Sequence, residues 1–192
     1  LGWRETFQVL AALTLVLGLL AAWMLHPSPA ARGLYPDGDA TAVGEGASLS
    51  GLALGASLSS RPFVLMFTAS TIVSLSLFVP FVHLVKFSVD HGHDESWSIL
   101  LISLIGVGSM FGRLTLGGVA DRYGRYHAVV VMYLGMALVQ AWWFLSTDFW
   151  ALALYAVLFG LSYGGYVALA PALIADYFGA KNVGGILGVL YS

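Results

Sequence analysis

Residues 112–125 read GRLTLGGVADRYGR, and their three arginines are notable in a chain where charged residues make up only 9% of the total. Arg122 and Arg125 belong to a polar turn beside Asp121, whereas Arg113 is stranded in apolar sequence before it. The turn has a physical logic. Gly124 suits the positive-φ geometry of a tight reversal. Gly117 and Gly118 are expected to let two helices approach closely. Asp121 can pair with Arg122 or Arg125, or cap a neighbouring helix N-terminus. The pattern G-x-x-x-D-R-x-G-R between two apolar runs is more specific than an ordinary charged loop.

The surrounding composition sets the class. The 192 residues are 59% hydrophobic, with a mean hydropathy of +0.86. A soluble domain is about 45–50% apolar and about 25% charged, so a water-soluble reading would leave most helices without a polar face. The sequence is that of a membrane protein. A net charge of −2 gives no reason to expect nucleic-acid binding, and the absence of cysteine excludes disulfides and thiolate metal sites.

Five apolar runs follow one another: Phe7–Leu25, Phe63–Phe87, Trp97–Ala120, Ala128–Leu145 and Phe149–Ala175. A sixth begins near Asn182. About 20 helical residues cross a ~30 Å hydrocarbon core, so each complete run is long enough to span. The backbone must satisfy its own hydrogen bonds there, which makes helices the natural spanning structure. His26–Arg61 is rich in Pro, Gly, Ala and Ser and reads as a linker, of which Leu49–Leu58 could lie along the interface. Five cations (Arg32, Arg61, Arg122, Arg125, Lys181) fall on one side and two (Arg4, Lys86) on the other. That imbalance puts the linker and the GVADRYGR turn in the cytoplasm. Trp97, Trp142, Trp143, Trp150, Tyr126 and Tyr177 lie near run ends, as an aromatic belt would. Both ends of the chain read as interior sequence, so a piece of a longer protein is expected.

The 117–125 turn resembles the signature loop of the major facilitator superfamily, G-x-L-a-D-r-x-G-R-[RK], with Val119 for the leucine and Tyr126 for the last basic residue. FVPFVHLVKFSVDHG (78–92), IGVGSMFGRLTLGGVADRYGR (105–125) and APALIADYFGAKNVGGILG (170–188) resemble its monocarboxylate transporter branch, including bacterial relatives and the oxalate/formate antiporters. The resemblance implies an all-α partial fold: residues 1–25 as helix six, 26–61 as central linker, and 62–192 as helices seven to ten with the start of eleven. It implies alternating-access transport of a small carboxylate by proton symport or anion exchange, in an inner membrane of bacterial type. No cofactor and no enzymatic activity are expected, and the missing N-terminal bundle would be the main partner. Arg113 occupies the place of the arginine that pairs with the substrate carboxylate in that branch. Ser109 stands where many animal members carry a proton-coupling aspartate, which puts carboxylate-based coupling through this helix in doubt. Gly117, Asp121, Arg122, Gly124 and Arg125 would form the conformational gate.

Arg113 can also be read without the family. It lies eight residues before Asp121, or ~12 Å at ~1.5 Å per residue, inside its run. A charge at that depth is costly unless it faces water or a counter-charge; the alternative is snorkelling to the interface. No acidic residue lies in any of the five runs, so its partner must come from elsewhere or be an anionic substrate. A planar guanidinium suits a carboxylate bidentately.

Other candidates are softer. Tyr163, beside Gly160, Gly164 and Gly165, resembles the family's substrate-facing aromatic; helix packing explains it equally well. Phe81 and His83 follow Pro80, where broken helix geometry often lines a cavity. His91-Gly-His93-Asp94-Glu95 admits a zinc reading, although a solvated external loop explains it better. Gly160-x-x-x-Gly164 and Gly184-x-x-x-Gly188 are close-packing patterns. A transporter for neutral solutes or drugs, a membrane metalloenzyme and a non-transporting assembly module are the competing readings.

Overall fold

The computed structural model describes residues 2–25 and 51–192. Most of the expected linker, with Arg32, Asp37, Asp39 and Glu45, lies outside the described residues. The chain divides into two compact units, Leu1–Ala47 and Ser48–Ser192. In the first, α1 (Trp3–Met24) is apolar along its length, and its start is tied by Glu5 Oε2, which accepts the Gly2 N–H at 3.1 Å.

The second unit is a helical bundle: α2 (Leu54–Leu58), α3 (Arg61–Leu77), α4 (Val79–Asp90), α5 (Glu95–Tyr123), α6 (Arg125–Leu145), α7 (Phe149–Phe178) and α8 (Val183–Leu190). Among the described residues, five segments are long and apolar enough to cross a membrane, with α3 and α4 together forming one of them, Arg61–Asp90. The second run breaks at Phe78 because Pro80 has no N–H to give the preceding turn. α7 continues through Pro171. Caps define the starts of α5 and α7: Asp94 accepts the N–H groups of Ser96 and Trp97, and Asp148 accepts those of Trp150 and Ala151.

The bundle is built around the α5–α7 crossing. Gly108 lies against the Val157 carbonyl, Gly112 against the Leu161 carbonyl, Gly160 against the Ile105 carbonyl and Gly164 against the Ser109 backbone. A Cβ on any of the four would overlap the facing helix, so two glycine pairs at four-residue spacing set this backbone contact. The pairs rise together along both helices, which therefore run parallel. Leu101, Ile105, Leu152, Tyr155 and Phe159 fill the surrounding core.

Three expectations need correction. The close approach foreseen at Gly117 and Gly118 is absent among the described residues: a Cβ at either meets nothing within 4 Å. They fall one and two residues past the Gly108–Gly112–Leu116 stripe and so face away from α7. A Cβ at Gly184 or Gly188 likewise meets nothing within 4 Å, whereas one at Gly185 would stand 3.3 Å from the Leu54 side chain. Trp143 is not part of a surface belt. It is buried between Phe87 and Tyr155, at ring distances of 5.6 and 5.2 Å.

The described end of the linker is folded. Leu52 N–H donates to the Phe178 carbonyl at 2.9 Å, and Asn182 Nδ2 donates to the Leu52 carbonyl at 2.7 Å. These bonds, with the ion pair of Arg125 to Asp176, place residues 51–58, the 121–125 turn and the 176–182 turn at one end of the bundle, the end where the cations cluster.

Candidate functional site

Arg113 follows Gly112 directly and emerges, exposed, at the edge of the α5–α7 seam. Among the described residues it has no hydrogen bond and no ion pair. Because Gly112 packs against Leu161 and Gly165, Tyr163 lies on α7 at the same height as Arg113 on α5. Tyr163 is half-buried, and its ring meets Phe81 of α4 edge-to-face at 6.1 Å. Phe81 also meets Phe159 at 6.3 Å. The broken helix thus delivers an aromatic from α4 to the α7 aromatics, as that geometry requires.

Ser109 and His83 are placed differently. Ser109 is buried in the seam under Gly164, because it belongs to the small-residue stripe of α5. His83 is exposed and lies two residues from Phe81, on another face of α4. Of Arg113, Ser109, Tyr163, Phe81 and His83, the structure brings Phe81 and Tyr163 into ring contact.

The turn is an electrostatic junction. Gly124 has φ +90°, which lets α5 end and α6 start without an intervening loop. Arg125, at the first turn of α6, lies 3.7 Å from Asp121 and 2.6 Å from Asp176 near the end of α7. One guanidinium therefore joins the ends of three helices. Arg122 faces the Tyr123 ring at 5.9 Å instead. Asp176 was absent from the sequence reading. Its signal was an acid ending a charge-free run on the side where the arginines cluster.

The His91–Glu95 segment is engaged in local structure. His91 Nδ1 bonds the Phe87 carbonyl, His93 Nε2 donates to the Thr147 carbonyl at 2.8 Å, and Asp94 caps α5. Among the described residues, no three His, Cys, Asp or Glu side chains are grouped to hold a metal. A second polar group was also missed. The Ser70 hydroxyl lies 3.0 Å from that of Tyr133 and 3.2 Å from that of Tyr166, joining α3, α6 and α7. They line a cavity of about 480 Å³ that reaches Arg61.

Apolar spans in series, a glycine seam, a mid-helix arginine unpaired among the described residues and a charged inter-helix turn define a multi-pass integral membrane protein of the solute-transporter kind. The chain belongs to the Major Facilitator Superfamily, whose sequence profile matches residues 1–192. It is 33% identical over 130 residues to the MFS transporter asaE of Aspergillus flavus, covering 67% of this chain and 29% of that protein. It is 28% identical over 128 residues to the aspyridones efflux protein apdF of Emericella nidulans, covering 66% and 26%. Over 133 residues it is 29% identical to monocarboxylate transporter 12 of Xenopus laevis, covering 67% and 29%. The chain thus spans under a third of the length of these curated relatives. They come from fungi and a frog, so the expected bacterial membrane finds no support in them.

Proposed function

We propose that the full-length protein carries a small organic anion, a short monocarboxylate, across the membrane by alternating access. The observation that carries this reading is Arg113: a permanent cation deep in an apolar span, with no counter-charge among the described residues. Charges so placed are retained where they meet a substrate or ion pathway. The guanidinium would take the carboxylate bidentately, and Phe81 and Tyr163 would bound the apolar part of the solute. Ser109 and His83 stand at the margins of this site, and the helices preceding this segment would supply the opposite wall. Protons or a counter-anion would supply the driving force. Asp121, Arg125 and Asp176 would hold the three helix ends together in one access state and separate in the other, with Gly117, Arg122 and Gly124 shaping the turn.

The test is uptake of labelled short monocarboxylates by cells or vesicles holding the full-length protein. Losing one side of a desolvated charge pair costs about 2–5 kcal/mol, or about 30-fold and more, so Arg113→Ala should abolish uptake at unchanged membrane abundance. Arg113→Lys should impair uptake too, because the planar fork is lost. Normal uptake by Arg113→Ala would sink the substrate role.

A second reading keeps the same arginine but a larger, aromatic-bearing organic anion moved outward. The edge-to-face contact of Phe81 with Tyr163 favours an aromatic solute, and the Emericella relative, named an efflux protein, favours outward movement. Export of an aromatic acid without uptake of short carboxylates would select it.

A further inference from the structure

The break between α3 and α4 leaves a specific backbone group in need of a partner. In an uninterrupted helix the N–H of residue 80 would donate to the carbonyl of residue 76. Pro80 has no N–H, and an unmet carbonyl is costly at membrane depth. The Ser76 carbonyl is approached by the Phe78 N–H two residues on. From the neighbouring helix α6, Gln140 Nε2 donates to it at 3.0 Å. The other end of the same amide is also engaged: Gln140 Oε1 accepts the hydroxyl of Tyr155 on α7.

Tyr155 is itself immobilised. It is fully buried, stacks on Phe159 at 5.8 Å and lies 5.2 Å from the Trp143 ring. Phe159 and Tyr163, one and two turns further along the same face of α7, are the residues that receive Phe81. The strip of α7 that anchors the amide is therefore the strip against which the residue just past the break is placed. A void of about 120 Å³ beside Ser76, Leu77, Gln140 and Phe159 leaves the break room to repack.

We propose that Gln140 is a positioning residue: its amide, oriented by Tyr155, holds the α3–α4 break and so sets where Phe81 stands against Tyr163. Its transport readout rests on the transporter reading above; its conformational readout does not.

The experiment is a double-mutant cycle in the full-length protein. Pro80→Ala returns an N–H that can satisfy the Ser76 carbonyl, so the amide becomes dispensable. This segment contains no cysteine, so Leu84→Cys, at a fully buried position of α4, in a cysteine-free background reports the packing of α4 through its rate of thiol labelling. Without the amide the Ser76 carbonyl keeps only the Phe78 N–H; one lost hydrogen bond of about 1.4 kcal/mol is about tenfold, so Gln140→Leu should raise the labelling rate about tenfold. In the Pro80→Ala background the same change should have under about twofold effect. Uptake should follow, with KM for the anion raised in Gln140→Leu and recovered in the double variant. Should Gln140→Leu fail to reach the membrane, Tyr155→Phe is used in its place. It keeps the ring stack and removes only the hydroxyl that orients the amide. Equal effects of Gln140→Leu with and without Pro80, or none in either, overturn the proposal. Intact coupling together with carboxylate uptake that ignores Arg113 would overturn the substrate reading and leave the clamp standing.

Discussion

Gly164→Ala is a sharp test of the α5–α7 seam. A methyl at Gly164 would collide with the carbonyl, Cα and carbonyl carbon of Ser109, all backbone atoms. No rotamer change relieves such a clash. Ordinary contact begins near 3.4 Å, so the helices must separate by about 1 Å, which also loosens Gly108, Gly112 and Gly160, since all four share the seam. Alanine gains about 1 kcal/mol over glycine in a helix, but overpacking costs about 1–3 kcal/mol and the lost seam contacts add to it. A net destabilisation of about 1–3 kcal/mol is expected. Gly117→Ala is the internal control. Its methyl meets nothing within 4 Å, so only the propensity gain remains and the variant should be neutral or more stable by up to about 1 kcal/mol. The assay is reversible SDS unfolding of the purified full-length protein in mixed micelles, followed by tryptophan fluorescence. Opposite signs are expected for the two alanines. Equal unfolding free energies would refute the seam.

Two further perturbations address the polar groups. Asp176→Asn removes the closer of the two acids on Arg125; all three side chains are partly exposed, so folding should change by less than about 1 kcal/mol. Turnover in the uptake assay should still change by about 2–5-fold, and more than with Asp121→Asn, whose contact is looser; no effect on turnover would separate this junction from the transport cycle. Ser70→Ala strips the hydroxyl shared by Tyr133 and Tyr166 and should cost about 1 kcal/mol in the same unfolding assay. Tyr133→Phe should cost less, since Ser70 keeps Tyr166; the reverse order would refute the shared role.

The spans were legible because a bilayer dictates both length and composition: the five runs match helices or helix pairs to within a few residues. The reversal at Gly124 and the break at Pro80 were legible for an equally local reason, since each depends on one residue's backbone chemistry. What the sequence withheld depends on which face of a helix meets which neighbour. Gly108 and Gly112 repeat the spacing of Gly160 and Gly164, yet only the fold shows that these four meet while Gly184 and Gly188 do not. Trp143 lies near a run end like Trp97 and Trp150, but its face of α6 turns inward. Asp176 pairs with a residue 51 positions away, and Gln140 reaches a carbonyl 64 positions away. The position of Asp176 at the end of a charge-free run hints at a role, but neither sequence neighbourhood names the partner.

These contacts divide the bundle into parts of unequal freedom. Backbone packed on backbone has few alternative arrangements, so α5 and α7 are constrained to move as one body. Arg113 and Tyr163, at one height on that body, therefore keep a fixed separation as the body moves. Phe81 is different. It sits one residue past Pro80, on a segment whose hold on the bundle at the break is a glutamine amide beside a void. Arg125 is different too, being a partly exposed bridge that salt and water can weaken. If the solute is recognised at Arg113, its recognition belongs to the rigid pair, whereas Phe81 meets that pair from a helix that the Pro80 break separates from α3. This arrangement explains why a span would carry both a glycine seam and an arginine at its edge: the seam fixes the charge in space, and a fixed charge discriminates between anions better than one on a mobile helix.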